Sequence, residues 1–286
     1  ELNIMMFLLK NVFIVLCVHA LFGSSTIDSN DRLVTIGGSI TDIVFALGEG
    51  KSVVAVDQSS TLPKEVKKLP QAGYVRAISA EGILSMLPTK ILSSSDIGPP
   101  NVISQLESSK VEFKIFESPK TFEDVIVLVD EIANFLDVKD KGHLLKEKLI
   151  SDKNKIDSIK MDKSLNVAFF MNPSSTGTYS AAGSGTRANY LINFIGASNI
   201  FENSFSRYNK VSKETIIDYN PDVIFVAATD SEHKTTSVFL DDPTFRNLNA
   251  VKNNKIIYLD LGYHLTFGSK FGESALLALN LLLDNE

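Results

Sequence analysis

One segment of this 286-residue chain occurs twice. Ser79, Glu81, Ile83, Leu84, Pro88, Ile91 and Leu92 return as Ser212, Glu214, Ile216, Ile217, Pro221, Ile224 and Phe225, at a constant offset of 133 residues. Each copy predicts a serine-capped helix, a proline break and then a strand. Two copies of one supersecondary unit predict two similar lobes, each carrying a glutamate at the same structural place. That is the plan of a bilobed binding protein, whatever it binds.

The length suits two α/β lobes of ordinary size. Hydrophobic residues make up 44% and charged residues 22%, the balance of a globular protein. The net charge of -6 offers no electrostatic footprint for nucleic acid. Residues 1–25 stand apart. Lys10 precedes an apolar run from Asn11 to Phe22, closed by the small residues Gly23, Ser24 and Ser25. A basic residue, an apolar core and a small-residue cleavage site are the layout of a secretory signal peptide. The run is short for a membrane span of about 20 residues, which favours cleavage over anchoring. Cys17, the single cysteine, leaves with it. The mature chain then holds neither a disulfide nor a thiolate metal site, which is compatible with a bacterial periplasm.

Downstream, strands and helices alternate. Arg32 to Ile36, Val53 to Val56, Ile91 to Ser93 and Phe113 to Phe116 read as strands. Ser39 is the expected cap of a helix over Ile40 to Leu47. This alternation predicts a mostly parallel sheet. From Thr121 to Lys160 there is no strand pattern. Phe122, Val125, Ile126, Val129, Ile132, Ala133 and Leu136 repeat at helical spacing, and a Lys-rich helical stretch follows. Strands return at Asn166 to Phe170, Val223 to Ala227 and Ile256 to Leu259, around a polar loop from Pro173 to Gly185 and a final helix from Ser269 to Leu283. The expected organisation is therefore an N-terminal lobe over 31–118, a helical connector over 119–163 and a C-terminal lobe over 164–286. The fold class is α/β: two Rossmann-like lobes, a long helical connector and a ligand cleft between them. A stiff connector predicts only small lobe closure.

Gly73-Tyr74-Val75-Arg76 lies in a loop just ahead of the first repeat copy, and Tyr208-Asn209-Lys210-Val211 is its weaker echo before the second. A phenolate is a hard oxygen donor suited to ferric iron, and tyrosine occurs as an axial haem ligand. A nearby arginine favours the phenolate and can pair with a carboxylate. On spacing alone, the plainer reading is preferred: a tyrosine packed at a loop edge beside a solvated arginine. The histidines show no metal-type spacing. His143 lies on the connector, His233 in the polar loop from Asp230 to Ser237, and His264 precedes Phe267-Gly268, where it is a candidate to face the cleft. Tyr179 and Arg187 are further cleft-wall candidates. Their plainer reading is surface loop and helix start. Enzyme motifs are absent: no nucleophile elbow, phosphate-binding loop or dinucleotide fingerprint.

Residues 32–283 resemble the periplasmic haem-binding proteins of bacterial haem-uptake ABC transporters, within the wider family that takes up haem, cobalamin and ferric siderophores. The resemblance rests on Ile36 to Gly48, on Gly73-Tyr74-Val75-Arg76-Ala77-Ile78-Ser79-Ala80-Glu81-Gly82, and on Gly98-Pro99-Pro100, Ala181-Ala182-Gly183 and Phe267-Gly268. It implies that Tyr74 is the axial ligand of ferric haem and that Arg76 supports it or pairs with a propionate. It implies that Glu81 and Glu214 dock on the two subunits of an inner-membrane ABC permease. No chemistry is performed, and a monomer is expected. On its own, either glutamate is equally a helix-start acid favoured by the helix dipole.

Two departures from the family pattern matter. The loop Met171 to Gly177 has no histidine where some relatives supply a second ligand, so one haem and one protein ligand are expected. Phe267-Gly268-Ser269-Lys270 replaces the frequent Phe-Gly-Pro-Arg, leaving Lys270 to meet a propionate as a point charge. The alternatives are the same fold with a ferric siderophore or cobalamin, a chelatase-like enzyme on a two-lobe scaffold, or an adhesion or sensor protein without transport.

Overall fold

A computed structural model describes residues 31–160, 164–173, 178–228 and 232–284. The signal peptide expected over 1–25 lies outside them, as does most of the loop from Met171 to Gly177. The first lobe begins with β1 (Leu33–Ile36), buried at every position. The chain then turns at Gly37, whose φ of 108° needs glycine, into α1 (Gly38–Ala46). Next come β2 (Val53–Val56), short 3-10 turns at Lys64–Lys68 and Val75–Ala77, α2 (Ala80–Leu84), β3 (Lys90–Ser94), α3 (Pro100–Glu107) and β4 (Glu112–Phe116). The four strands form one sheet in the order β2-β1-β3-β4, with every pairing parallel.

Two helices follow without an intervening strand. α4 (Phe122–Phe135) opens with a capping box: the Thr121 hydroxyl accepts from the Asp124 amide, and the Asp124 carboxylate accepts from the Thr121 amide. Its buried stripe of Phe122, Val125, Leu128, Val129, Ile132 and Ala133 follows the helical period. α5 (Lys139–Ser158) packs against it.

The second lobe contains β5 (Asn166–Met171), β6 (Thr178–Ala182), α6 (Arg187–Phe194), β7 (Ser198–Asn199), β8 (Tyr208–Ser212), α7 (Lys213–Tyr219), β9 (Val223–Ala228), α8 (Glu232–Leu240), α9 (Asn249–Lys252), β10 (Ile256–Asp260), α10 (Leu261–Leu265) and α11 (Phe271–Leu283). Its sheet runs β10-β9-β5-β6-β8, and β7 pairs with β5 as well. β5, β9 and β10 are parallel, whereas β6 and β8 add an antiparallel edge.

The repeated unit folds alike in both lobes. Ser79 accepts from the Gly82 amide at 2.9 Å and Ser212 from the Thr215 amide at 3.3 Å. The strands that follow, β3 and β9, are interior strands of their sheets. Three expectations need correction. Ser39 does not cap α1; Gly37 starts the helix earlier, and the freed Ser39 hydroxyl donates to the Thr266 carbonyl of the other lobe. The polar loop from Pro173 to Gly185 contains β6, because Tyr179, Ala181 and Ala182 are apolar enough to be buried. The polar stretch from Asp230 to Ser237 becomes α8 from Glu232 onward.

One apolar core joins the lobes. Leu33, Ile43 and Leu92 of the first lobe, the buried stripe of α4, and Phe169, Phe225, Phe271 and Leu279 of the second belong to a single cluster. Phe194 stacks on Phe122 at 5.6 Å and lies 5.2 Å from Phe271. Burying one such ring stabilises the fold by about 1.5–3 kcal/mol.

Candidate functional site

The carboxyl ends of parallel strands from both sheets converge on one cleft, which is where open α/β sheets receive ligands. In the first lobe, Gly37 to Ser39 follow β1, Ser59 follows β2, Ser94 ends β3 and Ser118 follows β4. All line a cavity of about 180 Å³ together with Tyr74, Arg76, Asp96 and Arg187. Met171, Ala228 and Asp260, the last residues of β5, β9 and β10, line a neighbouring cavity of about 620 Å³. Ser59 and Arg187 belong to both walls, so the two cavities adjoin. The larger one has the size of a small-molecule site and is mainly apolar.

The loop after β2 is locked by Asp57. This fully buried carboxylate accepts from the Gly37 amide at 2.8 Å, the Ser59 amide at 2.8 Å and the Ser60 hydroxyl at 2.7 Å. The Tyr74 loop is clamped from two sides. The Gln58 amide donates to the Gly73 carbonyl at 2.9 Å, and the Gly98 amide donates to the Val75 carbonyl at 2.9 Å. Gly73, at φ 118°, turns the chain into the Val75–Ala77 turn. Tyr74 is left 48% exposed on a rigid mount, and its hydroxyl has no partner among the described residues.

The other expected residues divide between cleft wall, core and surface. Arg76 is solvated and paired with Asp96 at 3.0 Å, and Asp96 also accepts from the Ser118 hydroxyl at 2.7 Å. Lys270 pairs with Glu273 at 3.2 Å, and Glu273 also binds Lys148 of α5 at 3.1 Å. That places Lys270 beside the connector. His264 is buried. Its Nδ1 lies 3.1 Å from the Asp260 carbonyl, its Nε2 has no partner among the described residues, and burial lowers its pKa, which favours the neutral ring. Tyr179 is a core residue, edge-on to Phe170 at 5.9 Å and to Phe245 at 5.6 Å. Glu81 and Glu214 stand exposed in the first turns of α2 and α7.

Two cleft residues were weakly signalled. Arg187 opens α6 and reaches back so that Nη1 donates to the carbonyls of Leu265 at 3.0 Å and Thr266 at 3.3 Å, with the guanidinium 5.4 Å from the Phe267 ring centre. Tyr208 faces the same cavity from β8. Burial pushes its phenol up, and the Arg187 charge only partly offsets this. Its one signal in the chain was its place as the echo of Tyr74. Among the described residues, no group of three or more His, Cys, Asp or Glu side chains could hold a metal ion, and no helix is long and apolar enough to cross a membrane.

A family model described as periplasmic binding protein matches residues 33–261. The chain belongs to the periplasmic binding protein family. This periplasmic binding protein superposes on the solved periplasmic heme-binding protein BhuT in complex with two hemes, with a TM-score of 0.78 and 27% identity, covering 88% of this chain and 97% of that one. It matches the periplasmic heme-binding protein HutB of Vibrio cholerae equally well, with a TM-score of 0.78 and 28% identity over 89% of this chain and 99% of that one. Among curated sequences it is 24% identical to the vitamin B12-binding protein of Vibrio parahaemolyticus, over 84% of this chain and 86% of that protein. The relatives are thus binding proteins that differ in the ligand their names carry.

Proposed function

We propose that this periplasmic binding protein takes ferric haem into the cleft between its lobes and delivers it to an ABC permease dimer in the inner membrane. Residues 1–25 are the export signal in this reading, 31–118 and 164–286 the lobes, and 119–163 the connector. The protein works as a monomer in the periplasm.

The observation that carries the reading is Tyr74. A half-exposed phenol without a hydrogen-bond partner, held rigidly where strand ends converge beside a mainly apolar cavity, is suited to meet ferric iron with its oxygen. The porphyrin lies on the apolar walls of the larger cavity. Glu81 and Glu214, one per lobe and both exposed, present matching charges to a two-fold permease. The haem-binding neighbours support this ligand. The vitamin B12-binding relatives favour a second reading, in which cobalamin occupies the same cleft and Tyr74 only stacks or hydrogen-bonds.

Titration of the apoprotein with haemin tests the choice. The expected result is one haem per chain with a high-spin ferric, tyrosinate-type visible spectrum that is lost in Tyr74→Phe. An unchanged spectrum in the variant would remove Tyr74 as ligand. Failure to bind haemin, with binding of cyanocobalamin, would establish the second reading.

A further inference from the structure

The cleft contains a guanidinium held by backbone carbonyls and without an ion pair among the described residues. Arg187 lines the 180 Å³ and 620 Å³ cavities and a third of about 360 Å³. Its Nη1 is used on the Leu265 and Thr266 carbonyls, and one face lies against Phe267. Among the described residues, Nε and Nη2 have no hydrogen-bond acceptor and the guanidinium makes no ion pair, although the Asp96 carboxylate across the 180 Å³ cavity is near enough to favour its charge. A charge withdrawn from water and left in this state is costly. Arg76 is engaged by Asp96 and Lys270 by Glu273, whereas Lys64 and Lys67, which also line the larger cavity, are exposed to solvent. Tyr208 opens onto the same cavity with its hydroxyl unpartnered among the described residues.

We infer that Arg187, with the Tyr208 hydroxyl beside it, is the carboxylate anchor of the cleft and selects ligands that carry an acid group. The planar guanidinium fork matches a carboxylate, and its remaining donors are already fixed in direction by the two carbonyls and the ring. The protonated Tyr208 adds a neutral donor. The inference rests on the haem reading, in which a propionate is the group received. Haem carries two carboxylates, whereas cobalamin carries amides and one phosphodiester, so esterifying the haem carboxylates is the change that isolates the contact.

The test is an equilibrium titration of the full chain, Arg187→Gln and Tyr208→Phe with haemin, haemin dimethyl ester and cyanocobalamin. Loss of a charge-assisted hydrogen-bond pair predicts that Arg187→Gln weakens haemin about 10- to 100-fold. The same change should leave the dimethyl ester within about twofold of wild type, and the tyrosinate-type spectrum at saturation should persist. Tyr208→Phe, which keeps the charge, is expected to weaken haemin by a smaller factor and again to spare the ester. Equal weakening of haemin and ester, or unchanged haemin affinity in both variants, would overturn the anchor while leaving the haem reading intact. Cyanocobalamin binding by a wild-type protein that ignores haemin would overturn both. Should Arg187→Gln fail to fold, Tyr208→Phe carries the comparison alone.

Discussion

The carboxylate of Asp42, on the first helix of one lobe, accepts a hydrogen bond at 2.6 Å from the backbone amide of Ser269, 227 residues away in the other lobe. Ser39 donates to the Thr266 carbonyl one helical turn earlier, and Arg187 binds the Leu265 and Thr266 carbonyls. Residues 265–269 are therefore a knot at the base of the cleft. Phe267 within it takes a φ of 52°, uncommon for an aromatic residue and held by its packing on Phe271 at 4.1 Å. With a shared core beneath, this knot explains how the cleft keeps its shape.

Burial raises the pKa of Asp42 above 3.8, and its bonds to Ser269 only partly offset this. The folded state thus holds the proton more tightly than the unfolded chain. Stability falls as pH rises from 3.8 through the raised pKa, and the loss is complete above it. Asp42→Asn keeps an acceptor for Ser269 without the charge. Urea midpoints from acid to neutral pH are expected to shift in favour of the variant as pH rises. Parallel profiles would refute the assignment. Asp42→Ala leaves the Ser269 amide unsatisfied and should cost about 1–3 kcal/mol at neutral pH.

Gly268 is a glycine because an added Cβ would run into the Asp42 carboxylate. Gly268→Ala is expected to destabilise the protein by about 1–3 kcal/mol through overpacking. Combined with Asp42→Ala, which removes the obstructing oxygen, it should cost less than the sum of the single changes. Strict additivity in thermal or urea melts would show that the contact is not the cause.

Glu273 is lowered to about 2, first by the Tyr263 hydroxyl at 2.8 Å and then by Lys148 and Lys270. Its contribution is present above 4.5 and is lost as pH falls through about 2. Because the carboxylate is half-exposed, Tyr263→Phe should cost less than about 1 kcal/mol at neutral pH. An NMR titration of the Glu273 carboxyl should show its pKa rising toward 4.5 in the variant, and an unmoved pKa would count against the Tyr263 contact.

Charge reversal at both Glu81 and Glu214 is expected to abolish permease-dependent haem uptake while leaving haem affinity unchanged. Neither side chain lines the cavities described here. Uptake that survives the double substitution would reduce the repeat to an architectural feature.

Much of this was legible in the chain because the signals are local. Ser79 and Ser212 cap helices within three residues of themselves, and the α4 stripe announces itself through period alone. β8 was not legible, because Tyr208, Asn209 and Lys210 mix polarity over a span too short to show alternation. Arg187 stood as a cleft-wall candidate with a helix start as its plainer reading, and nothing near it in the chain reveals that Leu265, Thr266 and Phe267 will meet it.

The linear order of residues was enough for two lobes, most of their parallel strands, the Ser79, Thr121 and Ser212 caps and a tyrosine standing in a loop ahead of the first repeat, since propensity and periodicity act over a few neighbours. Which cleft cations stay without an ion pair was decided elsewhere. Desolvation and pairing depend on contacts such as Arg76 with Asp96 and Arg187 with Leu265, and those exist only once distant segments have packed. The repeat announced the architecture; folding drew one arginine into the cleft wall and left it without an ion pair.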